Sequence, residues 1–163
     1  MKTCDILIQN AKVMTDYETI LERADIVIKD GKILAVIEKK AAGMENRQSA
    51  EKKEEWTAEQ VIDGRNRLFM PGLTDSHMHT GQQLLKGLVL DAKPIIWTRI
   101  MLPFESTLTS EAVSLSAALC SLEMIRGGTT SFLDAGGIHM DEAAKVYIKS
   151  GLRGALTLST MDD

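Results

Sequence analysis

His77 and His79, one residue apart, close the run Phe69-Met70-Pro71-Gly72-Leu73-Thr74-Asp75-Ser76-His77-Met78-His79. Side chains on a β-strand alternate between its two faces, so residues two apart share a side. On a strand the two imidazoles point the same way, about 7 Å apart along the backbone. Two neutral imidazoles so placed can hold one metal ion at about 2.0–2.1 Å from each nitrogen. Thr80-Gly81 follows directly and reads as a strand running out into a loop. The C-terminal end of a strand is where a barrel enzyme assembles its site. A bare His-x-His describes two surface or core histidines equally well, so the surrounding elements decide its meaning.

Upstream, Cys4 to Val13 reads as a short apolar strand, an Asn turn and more strand, and Ala24 to Ile37 repeats the idea. Asp30-Gly31 between β-branched runs is a hairpin signal, because such turns need positive φ. The first ~40 residues therefore predict an antiparallel sheet. Residues 38–60 are rich in Lys, Glu, Gln and Ala, a surface insertion whose end Trp56 tacks down; charge-dense tracts seldom build a core. Val61-Ile62-Asp63-Gly64 returns to strand and turn.

Downstream, Gln82 to Leu90 reads as a short helix or packed loop, Asp91 to Pro94 as a break, and Ile95 to Leu102 as an apolar run that Pro103 ends. Thr109 is a candidate N-cap with Glu111 in the first turn of a helix whose apolar residues recur at helical spacing to Ile125. Gly127-Gly128 stops it. Thr129 to Ala135 reads as a buried strand, Met140 to Ser150 as a second helix stopped by Gly151, and Leu152 to Thr160 as a third strand. The β-α-β-α-β alternation predicts a parallel sheet.

The 163 residues are 44% hydrophobic and 26% charged, which is enough for a packed domain. A net charge of -4 argues against nucleic acid or an anionic membrane as the main partner. No apolar run approaches the roughly 20 residues of a membrane span. The start, Met1-Lys2-Thr3-Cys4-Asp5, lacks the apolar core of a signal peptide. Cys4 and Cys120 form no motif, and free buried thiols fit a cytoplasmic setting.

An antiparallel β-section, then Pro-Gly-x-x-Asp-x-His-x-His, then βα units: this order resembles the amidohydrolase superfamily, metal-dependent hydrolases built on a distorted (β/α)8 barrel. The later part is most similar to the cytosine/adenosine-type deaminase branch, which includes 5-methylthioadenosine/S-adenosylhomocysteine deaminases and s-triazine hydrolases. Its marks are Leu84-Leu85-Lys86-Gly87, Trp97, Leu102-Pro103-Phe104-Glu105, Leu108-Thr109-Ser110-Glu111 and Glu123-Met124-Ile125-Arg126-Gly127-Gly128-Thr129-Thr130.

The resemblance implies an α/β chain. Residues 1–70 would form an antiparallel β-sandwich section with a charged insertion at about 39–59. Residues 71–163 would form the first three β/α units of a TIM-like barrel left incomplete, roughly 90 residues against the ~250 of a full one. It implies His77 and His79 as ligands of one divalent metal ion, zinc by default, with iron or manganese as the alternatives. It implies substrate contacts from Glu105, on ribose hydroxyls, from Trp97 as a pocket wall and from His139 in the loop after the second strand. For Glu105 a surface carboxylate, for Trp97 a core position and for His139 an exposed loop are the plainer readings. The expected reaction is hydrolytic removal of an amino group or similar leaving group from a small heterocycle such as a purine nucleoside, pterin or triazine. Two further His, an Asp and the catalytic Glu and His belong to later barrel strands in that branch. A truncated, inert fragment or interaction module is the alternative. Either way a complementing chain or a homo-oligomer is the expected partner.

Overall fold

The computed structural model describes residues 2–39, 55–89, 93 and 95–159. They fall into two compact units, Met1–Pro71 and Gly72–Asp163.

The first unit holds β1 (Lys2–Met14), β2 (Ile20–Lys29), β3 (Lys32–Glu38), β4 (Trp56–Asp63) and the two-residue β5 (Leu68–Phe69). β1, β2 and β3 pair antiparallel, and Asp30 and Gly31 take positive φ of 51° and 69°, as the hairpin signal predicts. β4 and β5 both run parallel to β1. The described strands thus form one mixed five-stranded sheet, not an antiparallel sandwich. The stretch between β3 and β4 exceeds the dozen or so residues that a parallel return requires, and side-chain alternation does not encode pairing direction. β4 starts at Trp56, so the charged insertion is shorter than expected; residues 40–54 lie outside the described residues. Asn10, read as a turn, sits at φ 59° inside the continuous β1 at a register irregularity against β2. Asp25 accepts its backbone N–H at 2.9 Å and Arg23 reaches its side chain, so the bulge is held by hydrogen bonds.

The second unit holds β6 (Leu73–Met78), a 3₁₀ turn at Thr80–Leu85, a π turn at Trp97–Met101 running into α1 (Leu102–Glu105), α2 (Ser110–Gly127), β7 (Thr129–Gly137), α3 (Met140–Ser150) and β8 (Arg153–Leu158). β6, β7 and β8 pair parallel in that order. Pro103 does not end the apolar run. It sits where the π turn passes into α1, and the helical backbone continues through it. Residues 90–92 and 94, within the expected break, lie outside the described residues. α2 is capped as the sequence predicts: Thr109 Oγ1 accepts from the Ala112 N–H at 3.2 Å, and Gly128 closes the other end at φ 83°. Val113, Ala117, Cys120, Phe132, Met140, Ala143 and Tyr147 form the core between helices and sheet. β7 is not buried on both sides as expected. It alternates, Phe132 and Asp134 inward and Leu133 and Ala135 outward, because the helices cover one face only.

No single helix among the described residues is long and apolar enough to cross a membrane; the pair Trp97–Glu105 and Ser110–Gly127, which passes that test only together, is bent by 112°.

Candidate metal centre

β6 ends at Met78, and His79 stays extended at φ -134°, ψ 102°. The alternation therefore carries through, and the rings of His77 and His79 meet edge to face with centroids 5.0 Å apart. Two imidazoles on one tetrahedral zinc ion have centroids roughly 5 Å apart. His79 Nδ1 is buried and has no hydrogen-bond partner among the described residues. An orphaned ring nitrogen is costly to bury, and a cation is one thing that answers it. Spacing and orphaned nitrogen both fit a metal ion. The set is partial: among the described residues no group of three or more His, Cys, Asp or Glu converges on one point.

Trp97 lies beside the pair, its ring 5.7 Å from that of His79 and tilted by 59°. It is 42% exposed, so it is not the core aromatic that an apolar run ordinarily supplies. Glu105 is not on the surface either. It is 9% exposed, and Gln82 Nε2 donates to its Oε1 at 2.8 Å. The backbone N–H of the same Gln82 donates to the His79 carbonyl at 3.3 Å. One residue thus ties the turn after the histidines to the buried carboxyl. Gly81 packs closely in that turn: a Cβ there would meet Leu108 Cδ1 at 3.2 Å.

His139 stands apart. It caps α3 at φ 53°, and its Nδ1 lies 3.5 Å from Ser110 Oγ. No hydrogen bond or ring contact among the described residues joins it to His77, His79, Trp97 or Glu105.

Sequence reasoning missed Gln82 and a buried polar set beneath the histidines: Thr80, Ser116, Asp134 and Tyr147, none more than 3% exposed. The signals were a polar residue directly after His79, polar positions within the apolar faces of α2 and α3, and a carboxyl at the end of an apolar strand. Lys86 and Gln83 bind Glu123 at 2.6 and 2.7 Å, tying the end of the turn to α2. The Lys86 ammonium, then Gln83, hold the Glu123 carboxyl below its ordinary pKa.

Comparison with known proteins adds the following. Residues 68–161 match the family described as Amidohydrolase family. The chain is 38% identical over 155 residues to a 5′-deoxyadenosine deaminase of Methanosarcina barkeri, covering 93% of this chain and 32% of that protein. It is 35% identical over 158 residues to a 5-methylthioadenosine/S-adenosylhomocysteine deaminase of Thermococcus kodakarensis, covering 96% of this chain and 34% of that one. Among solved structures, it matches an adenosine deaminase of Xanthomonas campestris with bound zinc at a TM-score of 0.77 and 25% identity, over 94% of this chain and 33% of that one. The chain spans about a third of the length of the curated relatives it matches.

Proposed function

The chain belongs to the amidohydrolase family, and from that we propose that it carries the first two metal ligands of a deaminase-type hydrolase acting on a nitrogen heterocycle. The observation that carries this reading is the His77–His79 pair, 5.0 Å apart at the end of β6 with an unpartnered buried nitrogen. The zinc-bound adenosine deaminase of the same fold supports zinc as the ion. When bound, zinc lowers the pKa of water toward neutrality and so provides a nucleophile for an electron-poor ring carbon.

The chain's own residues supply the rest of the roles. His77 and His79 hold the ion. Trp97 offers a flat apolar wall on which a heterocycle stacks. Glu105 accepts sugar hydroxyls: a carboxylate has about four lone-pair sites, and Gln82 takes one. His139, at the exit of β7, is a polar contact at the rim. The substrate class is a purine nucleoside such as 5′-deoxyadenosine or 5-methylthioadenosine, with pterins and triazines as variations. A cytoplasmic setting suits the two free buried thiols.

The test uses the protein carrying this chain, loaded with zinc and offered each compound while ammonia release is followed. His77→Ala and His79→Ala are each expected to lower kcat/KM more than about a hundredfold and to lose the metal. Full activity and full metal content in both variants would overturn the ligand assignment.

The partial ligand set favours a second reading for the 163 residues by themselves. Catalytic zinc takes three protein ligands plus water. The missing ones would come from elsewhere in the protein, from a complementing chain or from a homo-oligomer, and without them this part is an interaction module. Metal analysis of the isolated 163-residue chain decides: no stoichiometric zinc supports this reading, one tightly held zinc refutes it.

A further inference from the structure

We propose that the buried set Tyr147, Thr80, Asp134 and Ser116 is a positioning device that fixes the direction of His79. The inference rests on the reading of His77 and His79 as metal ligands.

Thr80 is the residue after His79, and every polar group it has is taken. Its backbone N–H donates to Asp134 Oδ2 at 3.1 Å, and its carbonyl accepts from Ser116 Oγ at 2.5 Å. Its hydroxyl donates to Asp134 Oδ2 and stands 2.7 Å from Tyr147 Oη. A threonine hydroxyl has one proton. With that proton committed to Asp134, the tyrosine must donate to Thr80. Burial raises the Tyr147 phenol above its ordinary pKa, which keeps its proton in place. The second oxygen of Asp134 accepts the Gly136 N–H at 2.9 Å. Thr80 is thereby clamped from α2 (Ser116), from β7 (Asp134) and from α3 (Tyr147).

A purely structural demand has a simpler answer. Valine fills the volume of threonine, and well-packed apolar groups replace buried polar sets at little or no loss of stability. What the polar set adds is direction. Metal-bound histidines ordinarily owe their ring orientation to an outer hydrogen-bond partner. Neither ring nitrogen of His79 has one among the described residues. Its orientation must come from the backbone on which it sits and from the Trp97 ring beside it. The peptide joining residues 79 and 80 is held by the Thr80 N–H on Asp134 Oδ2, and the Thr80 hydroxyl, bound to the same oxygen, fixes that acceptor in place.

The test measures cobalt(II) affinity by chelator competition, and the visible spectrum of the bound cobalt, in the protein carrying this chain. Thr80→Val is expected to weaken cobalt binding about ten- to hundredfold and to alter the spectrum. Tyr147→Phe shifts both in the same direction by less, and Thr80→Ser restores most of the affinity. Val113→Ala, a cavity in the same core with no bond to Thr80, is expected to lower the thermal midpoint and leave affinity and spectrum unchanged. Wild-type affinity and spectrum in a folded Thr80→Val protein would overturn the proposal, as would an equal loss in Val113→Ala. If Thr80→Val does not fold, Tyr147→Phe decides alone, and a wild-type spectrum there overturns it. Cobalt binding that survives His77→Ala and His79→Ala would instead overturn the ligand reading itself, and the inference with it.

Discussion

Cys120 sits 6% exposed in the core beside Tyr147, and burial pushes its thiol up to about 11. A thiol whose pKa is raised on folding binds its proton more tightly in the native state. The stability this lends is whole below the ordinary value of 9.0 and is lost as pH rises through about 11. The thermal midpoint should therefore fall across that window, and Cys120→Ala should flatten the fall. Iodoacetamide at pH 8 should leave Cys120 of the folded protein unlabelled by mass spectrometry, because the thiolate is the nucleophile. An alkaline fall identical in Cys120→Ala would assign it to other groups. At this scale the meeting of the two imidazoles was legible in the sequence, since strand alternation brings His77 and His79 to one side. Glu105 was half legible: its position in a motif suggested a role, but its hydrogen bond from Gln82 forms only once the turn at residues 80–85 brings the two together. Thr80 and Asp134 lie 54 positions apart, and nothing local announces their bond.

Elements were legible wherever a cap or a turn residue fixes the backbone by itself. Thr109 and Gly128 bound α2, Gly151 ends α3, and Asp30-Gly31 makes its hairpin, each from a side-chain oxygen or a tolerated positive φ. What failed was non-local. The parallel pairing of β4 and β5 with β1, and the one-sided burial of β7, depend on which surfaces meet, and alternation is silent on that. The packing of β8 under β7 shows the same dependence. Gly154 faces Phe132 so closely that a Cβ would drive into the ring. Overpacking of this kind costs about 1–3 kcal/mol. Gly154→Ala should lower the thermal midpoint clearly more than Gly151→Ala. The latter has open space around it and suffers only the strain of its φ of 79°, about 1 kcal/mol. Equal midpoints in the two variants would mean that Phe132 can swing aside.

A parallel sheet is ordinarily covered on both faces, and the described helices of the second unit cover one face of its sheet. Leu133 looks out from β7, while β6 and β8 each pair with β7 alone among the described strands. Unpaired strand edges of this kind invite pairing with another chain. On α2, Leu115, Leu119 and Leu122 recur at helical spacing and are each at least 40% exposed. Contiguous apolar surface of this kind is rarely left to water, and a net charge of only -4 opposes contact weakly. The 163-residue chain produced by itself should therefore self-associate, with a mass by light scattering above the 17.9 kDa of one copy and rising with concentration. Salt distinguishes the cause. Apolar association strengthens in sulfate, whereas association through exposed charges weakens as salt screens them. Leu119→Lys with Leu122→Lys should lower the mass if the α2 face is the contact, since neither residue lies in the buried core of the unit. If the double variant associates as before, the contact lies on the sheet, and a lysine at Leu133 is the substitution that should then disperse it.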